Sequence, residues 1–303
     1  MQISTAQLYD RSATLMQKLS QKADKLQIQV SSETRLLAPS DDVVAYQRLA
    51  TLKQGKADDL ATKGNVGLAQ SLLQQSDSAL TSVENSLQQA AELALQAGNG
   101  TLTDSARATI STQLKGVLAD LVKLANTRDA RGQPLFGAAT GDTAVTVGTD
   151  GAVSFTGTGT PPAIPLGDDQ SIVATDTAAR VFGGVQTASG TTDAFAIISK
   201  LAAAIDAGGN VSSAASEATD GINAALTQVG TVRGSVGARA ARLDLVSDQL
   251  TDTAANREID RSALEDTDIT ATITELQKTM TILSATQASF TKLSQLSLFD
   301  YLR

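Results

Sequence analysis

Apolar residues recur along most of this chain at alternating spacings of three and four, and that rhythm disappears in one central stretch. Over residues 5–36, Leu8, Leu15, Leu19, Leu26 and Leu36 fall on such a spacing, with Thr5, Ser12, Lys22, Gln29 and Glu33 in the other slots. This is an imperfect but sustained heptad seam. Pro39 interrupts it, because the residue before a proline avoids the helical region. Ser40 is then placed to cap a second helix, with Asp41 and Asp42 in its first turn at the positive end of the dipole. That helix is expected to reach Ala97, with a weak point at Gly64 and Gly67, and its later half repeats Leu73, Ser76, Leu80, Val83, Leu87, Ala90 and Ala94. Gly98, Asn99 and Gly100 end it. A third helix, capped near Asp104, carries Ile110, Leu114, Val117, Leu121 and Leu124 on one face, and the short connection predicts an antiparallel helical hairpin.

Residues 137–192 are rich in Gly, Thr, Val, Asp and Pro, a composition that favours short strands and turns. Residues 144–147 and 152–156 flank Asp150-Gly151, the pair a tight hairpin turn prefers. Gly157-Thr158-Gly159 is too short and too poorly placed for a phosphate loop and reads as ordinary loop. Thr192 and Asp193 form a capping pair at which helix resumes, followed by Ile222, Ala225, Val229, Val232, Val236, Arg239, Leu243, Val246 and Leu250. Gly230, Gly234 and Gly237 weaken that run by up to ~1 kcal/mol each, so close packing of neighbours is expected there. Ser262 and Glu265 have the spacing of a capping box that starts the last segment, with the seam Ile269, Ile273, Leu276, Met280, Leu283, Gln287 and Phe290.

The layout is roughly palindromic. It predicts a mainly α fold with a small β-rich insert: a long antiparallel helical bundle or coiled coil built from both termini, with a central β domain at the far end. The expected division is residues 1–40 with 262–303 as terminal coiled-coil segments, 41–136 with 193–261 as a helical domain, and 137–192 as the insert. Isolated terminal helices are marginal in water and cannot cover their own seams. For Leu8, Leu15, Leu19, Leu26, Leu36, Ile269, Ile273, Leu276, Met280, Leu283 and Phe290 the alternatives are an intramolecular core or an interface between subunits, and the second is preferred.

Composition narrows the chemistry. Aromatic residues are 3% of the chain and Trp is absent, so burial must come from aliphatic side chains. With no His and no Cys, catalytic triads, Cys–His pairs and zinc sites of imidazole or thiolate are excluded. No enzyme activity, no cofactor and no metal is expected. Asp41 with Asp42, and Asp266 with Asp268, read as first-turn helix charges rather than cation ligands, since few other oxygen ligands stand near them in sequence. Asp168-Asp169 reads as a solvated loop. A net charge of −8 argues against nucleic acid as a partner. No stretch reaches the roughly 20 apolar residues of a membrane span, and no apolar run of a secretory signal peptide is visible.

At Ser31-Ser-Glu-Thr-Arg-Leu-Leu-Ala-Pro-Ser-Asp-Asp42 the sequence resembles the flagellin superfamily. The Arg35, Pro39, Ser40, Asp41 and Asp42 version of this loop is similar to hook–filament junction members more than to flagellin itself. Two departures stand out: Glu33 where the family commonly has Gly, and Val43 where junction members commonly have Pro. Further similarities lie at residues 129–137, ending in Phe136 and Gly137, at 236–243 around Arg239, at 262–269 with Asp266 and Asp268, and at Ser297-Leu-Phe-Asp-Tyr-Leu302. Arg35, Arg239 and Arg242 are read either as interface ion-pair partners of these acids or as plain exposed charges.

The resemblance implies a structural subunit of the bacterial flagellum, exported unfolded by the flagellar type III route and therefore secreted without a signal peptide. It implies termini that are unstructured in the free monomer and become a coiled coil on assembly. It further implies a ring of copies at the hook–filament junction, with hook-associated protein 1, flagellin and an export chaperone as partners and no membrane insertion. Flagellin itself and a surface adhesin carried on the insert are the competing functions.

Overall fold

The computed structural model describes residues 2–301 apart from 141, 142, 150 and 168, with side chains described for residue 7 and for 9–292 outside those four gaps. The elements in chain order are α1 (Gln2–Ser32), α2 (Val43–Ala97), α3 (Asp104–Ala125), β1 (Val145–Val147), β2 (Val153–Phe155), β3 (Ile164–Gly167), β4 (Gln170–Ile172), α4 (Ala178–Phe182), β5 (Val185–Thr187), β6 (Gly190–Thr192), α5 (Ala194–Ala207), α6 (Ser212–Glu265) and α7 (Ile269–Tyr301). The fold is mainly α with three small antiparallel two-stranded sheets in the middle of the sequence. Two compact units are present, residues 1–57 with 252–303 and residues 58–251.

In the second unit the periodic positions form a single core. Leu73, Leu80, Val83, Leu87, Ala90 and Ala94 of α2, Ile110, Leu114, Val117 and Leu121 of α3, and Ile222, Ala225, Val229, Val232, Val236 and Leu243 of α6 belong to one buried cluster. Helix α3 also packs on α5, where Ser111 Oγ donates to Asp206 over 2.7 Å and Lys115 reaches the same carboxylate at 2.6 Å. Thr103 caps α3 by accepting from the Ala106 amide, and Asp193 caps α5 by accepting from Ala196 at 2.8 Å. Both are short polar side chains that satisfy an otherwise free amide.

The middle region is β1–β2, β3–β4 and β5–β6, each an antiparallel hairpin, with α4 between the second and third. In the first hairpin Gly148 donates to Ala152 and Gly151 donates to Gly148, so the turn is longer than a two-residue loop. Gly151 sits at φ 78°, and its expected turn partner Asp150 lies outside the described residues. Asp168 lies outside them too, while Asp169 occupies the left-handed region at φ 57°. Gly157, in the loop after β2, takes φ 101°, and a Cβ there would meet the Thr140 carbonyl oxygen at 2.1 Å. That close approach accounts for the Gly157-Thr158-Gly159 segment without any phosphate.

Several local expectations are corrected. Helix α2 runs unbroken through Gly64 and Gly67. It starts at Val43, not after Ser40, because Asp42 accepts from the Ala45 amide at 2.9 Å and is itself the cap. Ser262 and Glu265 do not start a helix: α6 continues through both, since nothing before them breaks it. Asp268 performs the capping for α7, accepting from the Ala271 amide at 2.9 Å. At Gly230, Gly234 and Gly237 a Cβ would meet nothing within 4 Å, so the close packing expected there is absent.

Candidate assembly surface

The first unit is built on the pairing of α1 with α7. On α1 Tyr9, Ser12, Met16, Leu19, Ala23, Leu26 and Val30 lose solvent on a strict alternation of three and four, with Gln29 partly covered beside them. On α7 Thr272, Leu276, Thr279, Leu283, Thr286 and Phe290 do so on the same rhythm, with Glu275 partly covered beside them. The Tyr9 and Phe290 rings meet edge to face with centroids 5.5 Å apart, a favoured aromatic geometry. Lys22 Nζ lies 2.5 Å from Glu275, holding that carboxyl below its ordinary pKa.

This seam shares Ser12, Leu19, Leu26, Leu276, Leu283 and Phe290 with the one expected from sequence, and its alternate positions are shifted by one residue. Its most buried alternate slots hold small residues: Ala23 is buried and Thr279 is 2% exposed. The strong apolar residues one place along are left outside, with Leu15 at 49%, Ile269 at 41%, Ile273 at 37% and Met280 at 53% exposure. One residue is about 100° around a helix, so each helix carries an apolar arc wider than its partner covers. Covering the open flank would contribute about 1 kcal/mol per side chain from the area still wet. Leu8 and the motif at 297–302 lie outside the residues whose side chains are described.

The loop between α1 and α2 meets the α6–α7 connection through backbone pairing. Arg35 N donates to Glu265 O at 2.7 Å, Thr267 N donates to Glu33 O at 2.9 Å, and Thr34 bridges Asp266. Leu36 is buried with Ala45 and Leu49, and Leu264 packs against them. The Arg35 guanidinium donates to Leu264 O at 2.9 Å, so it serves a helix end and not one of the acids considered as its partner. Asp41 holds the turn around Pro39 and Ser40: one oxygen takes the Leu37 and Ala38 amides, the other lies 2.5 Å from Lys25 Nζ. The hydrogen bond from Lys25, reinforced by those amides, outweighs partial burial and lowers the Asp41 pKa. Asp266 receives the Ser262 hydroxyl at 2.5 Å. Glu265, 9% exposed, is pulled upward by burial but more strongly downward by Lys53 at 2.9 Å and Arg261 at 2.6 Å.

Glu33 ends α1 in the left-handed region at φ 57°. Helices commonly finish on a left-handed residue that is usually Gly, and here Glu stands at that point.

The other family-motif residues lie in the second unit. Phe136 is 1% exposed and packs edge to face on Phe182, with ring centroids 6.2 Å apart. A Cβ on Gly137 would come within 2.7 Å of Pro134 Cγ. Asp129 anchors the preceding turn, accepting from the Arg131 and Gln133 amides and from the Arg131 side chain. Burial raises its pKa and these donors together lower it further, so the carboxylate stays charged. Arg239 pairs with Asp176, which no spacing in the sequence had singled out. Among the described residues no group of three or more His, Cys, Asp or Glu is placed to hold a metal ion, and no helix is long and apolar enough to cross a membrane.

What is gathered here is a set of helix ends, a backbone pairing and an apolar flank open to solvent. The bacterial flagellin N-terminal helical region matches residues 3–140, and the flagellin C-terminal helical region matches residues 219–302. Flagellar hook-associated protein 3 of Escherichia coli (strain K12) is 27% identical over 316 residues, covering 99% of both chains. The protein of that name from Salmonella typhimurium (strain LT2) is 27% identical over 321 residues with the same coverage. Among solved structures, the fold is similar to that of flagellar hook associated protein-3 from Legionella pneumophila, with a TM-score of 0.65, 15% identity, 71% of this chain and 98% of that one covered. With its two ends matching the two helical regions and its full length aligning to hook-associated proteins, the chain belongs to the flagellin family.

Proposed function

We propose that this chain is a structural, non-enzymatic subunit of the bacterial flagellum that joins hook-associated protein 1 on the hook to the flagellin filament. The observation that carries the reading is the uncovered flank of the α1–α7 pair, Leu15, Ile269, Ile273 and Met280. Two helices that already cover each other on one side, yet present Ile, Leu and Met on another, gain stability when sister subunits cover what remains. Full-length similarity to hook-associated protein 3 supports the junction over the filament as the place of assembly. In this reading the chain is secreted by the flagellar export route with the help of a chaperone. Its ends, residues 1–40 and 262–303, order fully as copies form a ring, and assembly is confined to the growing tip because ordering is favourable only there. The helical domain (41–136 with 193–261) and the insert (137–192) serve as outer scaffold.

Deleting the gene is expected to leave hooks without filaments while flagellin appears in the medium, and labelled antibody should mark a single point on the flagellum by electron microscopy. Finding the protein to be the bulk of sheared filaments would overturn the reading. A sharper version replaces Ile273 and Met280 together by Asp: helicity of the free chain should hold while filament growth is lost.

A further inference from the structure

In the second unit, between β4 with the residues that follow it, α4 and α6, lies a cavity of about 410 Å³. Its lining surface is mostly apolar, with a few polar groups, and its charge is one-sided. Arg180, Arg239 and Arg242 all contribute, and Asp176 is the one carboxylate among the lining residues. Asp176 is 3% exposed and lies between two guanidiniums, Arg180 Nη1 at 2.5 Å and Arg239 on its other oxygen. Arg239 has its remaining donors on Val173 O at 2.7 Å and Ser235 O at 3.2 Å, so it belongs to the wall. Arg242 is different: it is exposed and forms no ion pair among the described residues. Three guanidiniums against one carboxylate leave two positive charges unbalanced in a chain whose net charge is −8.

The chemistry of such a place is specific. A guanidinium presents a planar fork of donors that matches the two oxygens of a carboxylate. Arg180 and Arg239 each give Asp176 a single N–H, one to each oxygen, so a buried carboxylate is already held here by charge-assisted bonds. Hydroxyls of Thr175, Thr177 and Ser171 add further donors around the opening. Low-dielectric walls concentrate the uncompensated positive field within the groove. We propose that this groove binds a carboxylate, with Arg242 as the fork and Arg180, half-exposed and already bonded to Asp176 and Ser235, adding charge and its remaining N–H groups. The carboxylate belongs either to a free organic acid or to an acidic side chain of another copy of this chain, and both present the same group.

The test uses the full chain with nitrogen-labelled arginine. Glutarate is titrated against chloride at matched ionic strength, and the arginine Nε signals are followed by nuclear magnetic resonance. Saturable shifts at three arginines with glutarate, and no saturation with chloride, are expected. Arg242→Gln removes a side chain that holds nothing else, so the variant should keep its circular dichroism and weaken glutarate at least tenfold. Equal responses to both anions, or unchanged glutarate binding in Arg242→Gln, would overturn the proposal. Sedimentation at high protein concentration separates the two sources: association that glutarate displaces and Arg242→Gln abolishes assigns the carboxylate to a neighbouring copy. Association indifferent to both assigns it to a solute. The titration reads the groove alone, so it stands apart from the outcome of the junction experiments.

Discussion

The two units use opposite strategies for their apolar residues. In residues 58–251, Leu80, Val83, Leu87, Leu114, Leu121 and Ile222 are all fully buried, and the helices share one continuous core. In residues 1–57 with 252–303, the described buried apolar residues are Ala23, Leu36, Ala45 and Leu49, while Leu15, Ile28, Ile269, Ile273, Met280 and Ile282 are exposed. The first arrangement is complete within a single chain. The second buries few apolar side chains and leaves several large ones outside, more than a pair of helices that covered all of its own apolar surface would show. A finished domain and an unfinished one are joined in the same polypeptide.

That contrast is open to direct attack. The largest effect should come from Leu87→Ala: a fully buried side chain in the continuous core, whose loss should cost about 3–4 kcal/mol in chemical denaturation followed by circular dichroism. Next is Asp41. Its folded pKa lies below the ordinary value, so its stabilisation is fully present above the ordinary carboxylate range and is lost as pH falls through the lowered value. Asp41→Asn should therefore be about 1 kcal/mol less stable than the parent at pH 7, with the two converging at pH 2 in thermal melts. Glu33→Gly runs the other way, relieving a left-handed non-glycine residue and raising stability by about 1 kcal/mol. Smallest of all is Leu15→Ala, within about 0.5 kcal/mol in the free chain because the side chain is half in water. If Leu15→Ala proved as damaging as Leu87→Ala in the isolated protein, the distinction between the units would collapse.

How far the fold could be read in advance follows the same division. In α2, every position of the series Leu73, Ser76, Leu80, Val83, Leu87, Ala90 and Ala94 is buried, because one narrow apolar stripe admits one register. In α1 and α7 the apolar arc is broad, and two registers one residue apart satisfy the three-four rule equally well. The frame through Tyr9, Met16, Ala23 and Val30, matched by Thr272, Thr279 and Thr286, was visible in the sequence but carried less hydrophobic weight. At Ala23 on α1 and Thr279 on α7 small side chains fill the seam and let two helices approach, a preference that residue hydrophobicity does not express. Ser262 with Glu265 misled for another reason: a capping box needs a chain that enters from outside a helix, and here the preceding residues were already helical. Asp176 and its arginines could not be found from spacing, since the partners are 63 residues apart for Arg239 and come together only through the fold.

The bare strip at Gly230, Gly234 and Gly237 has a mechanical corollary. Over two turns one side of α6 has neither side-chain bulk nor a neighbour within reach, so its carbonyls are open to water and its resistance to bending rests on Val229, Val232 and Val236 opposite. Under torque or flexure a 54-residue helix should yield at that place before any other. A spring with one softened coil bends predictably, and on the glycine side of this one no packed side chain has to be displaced.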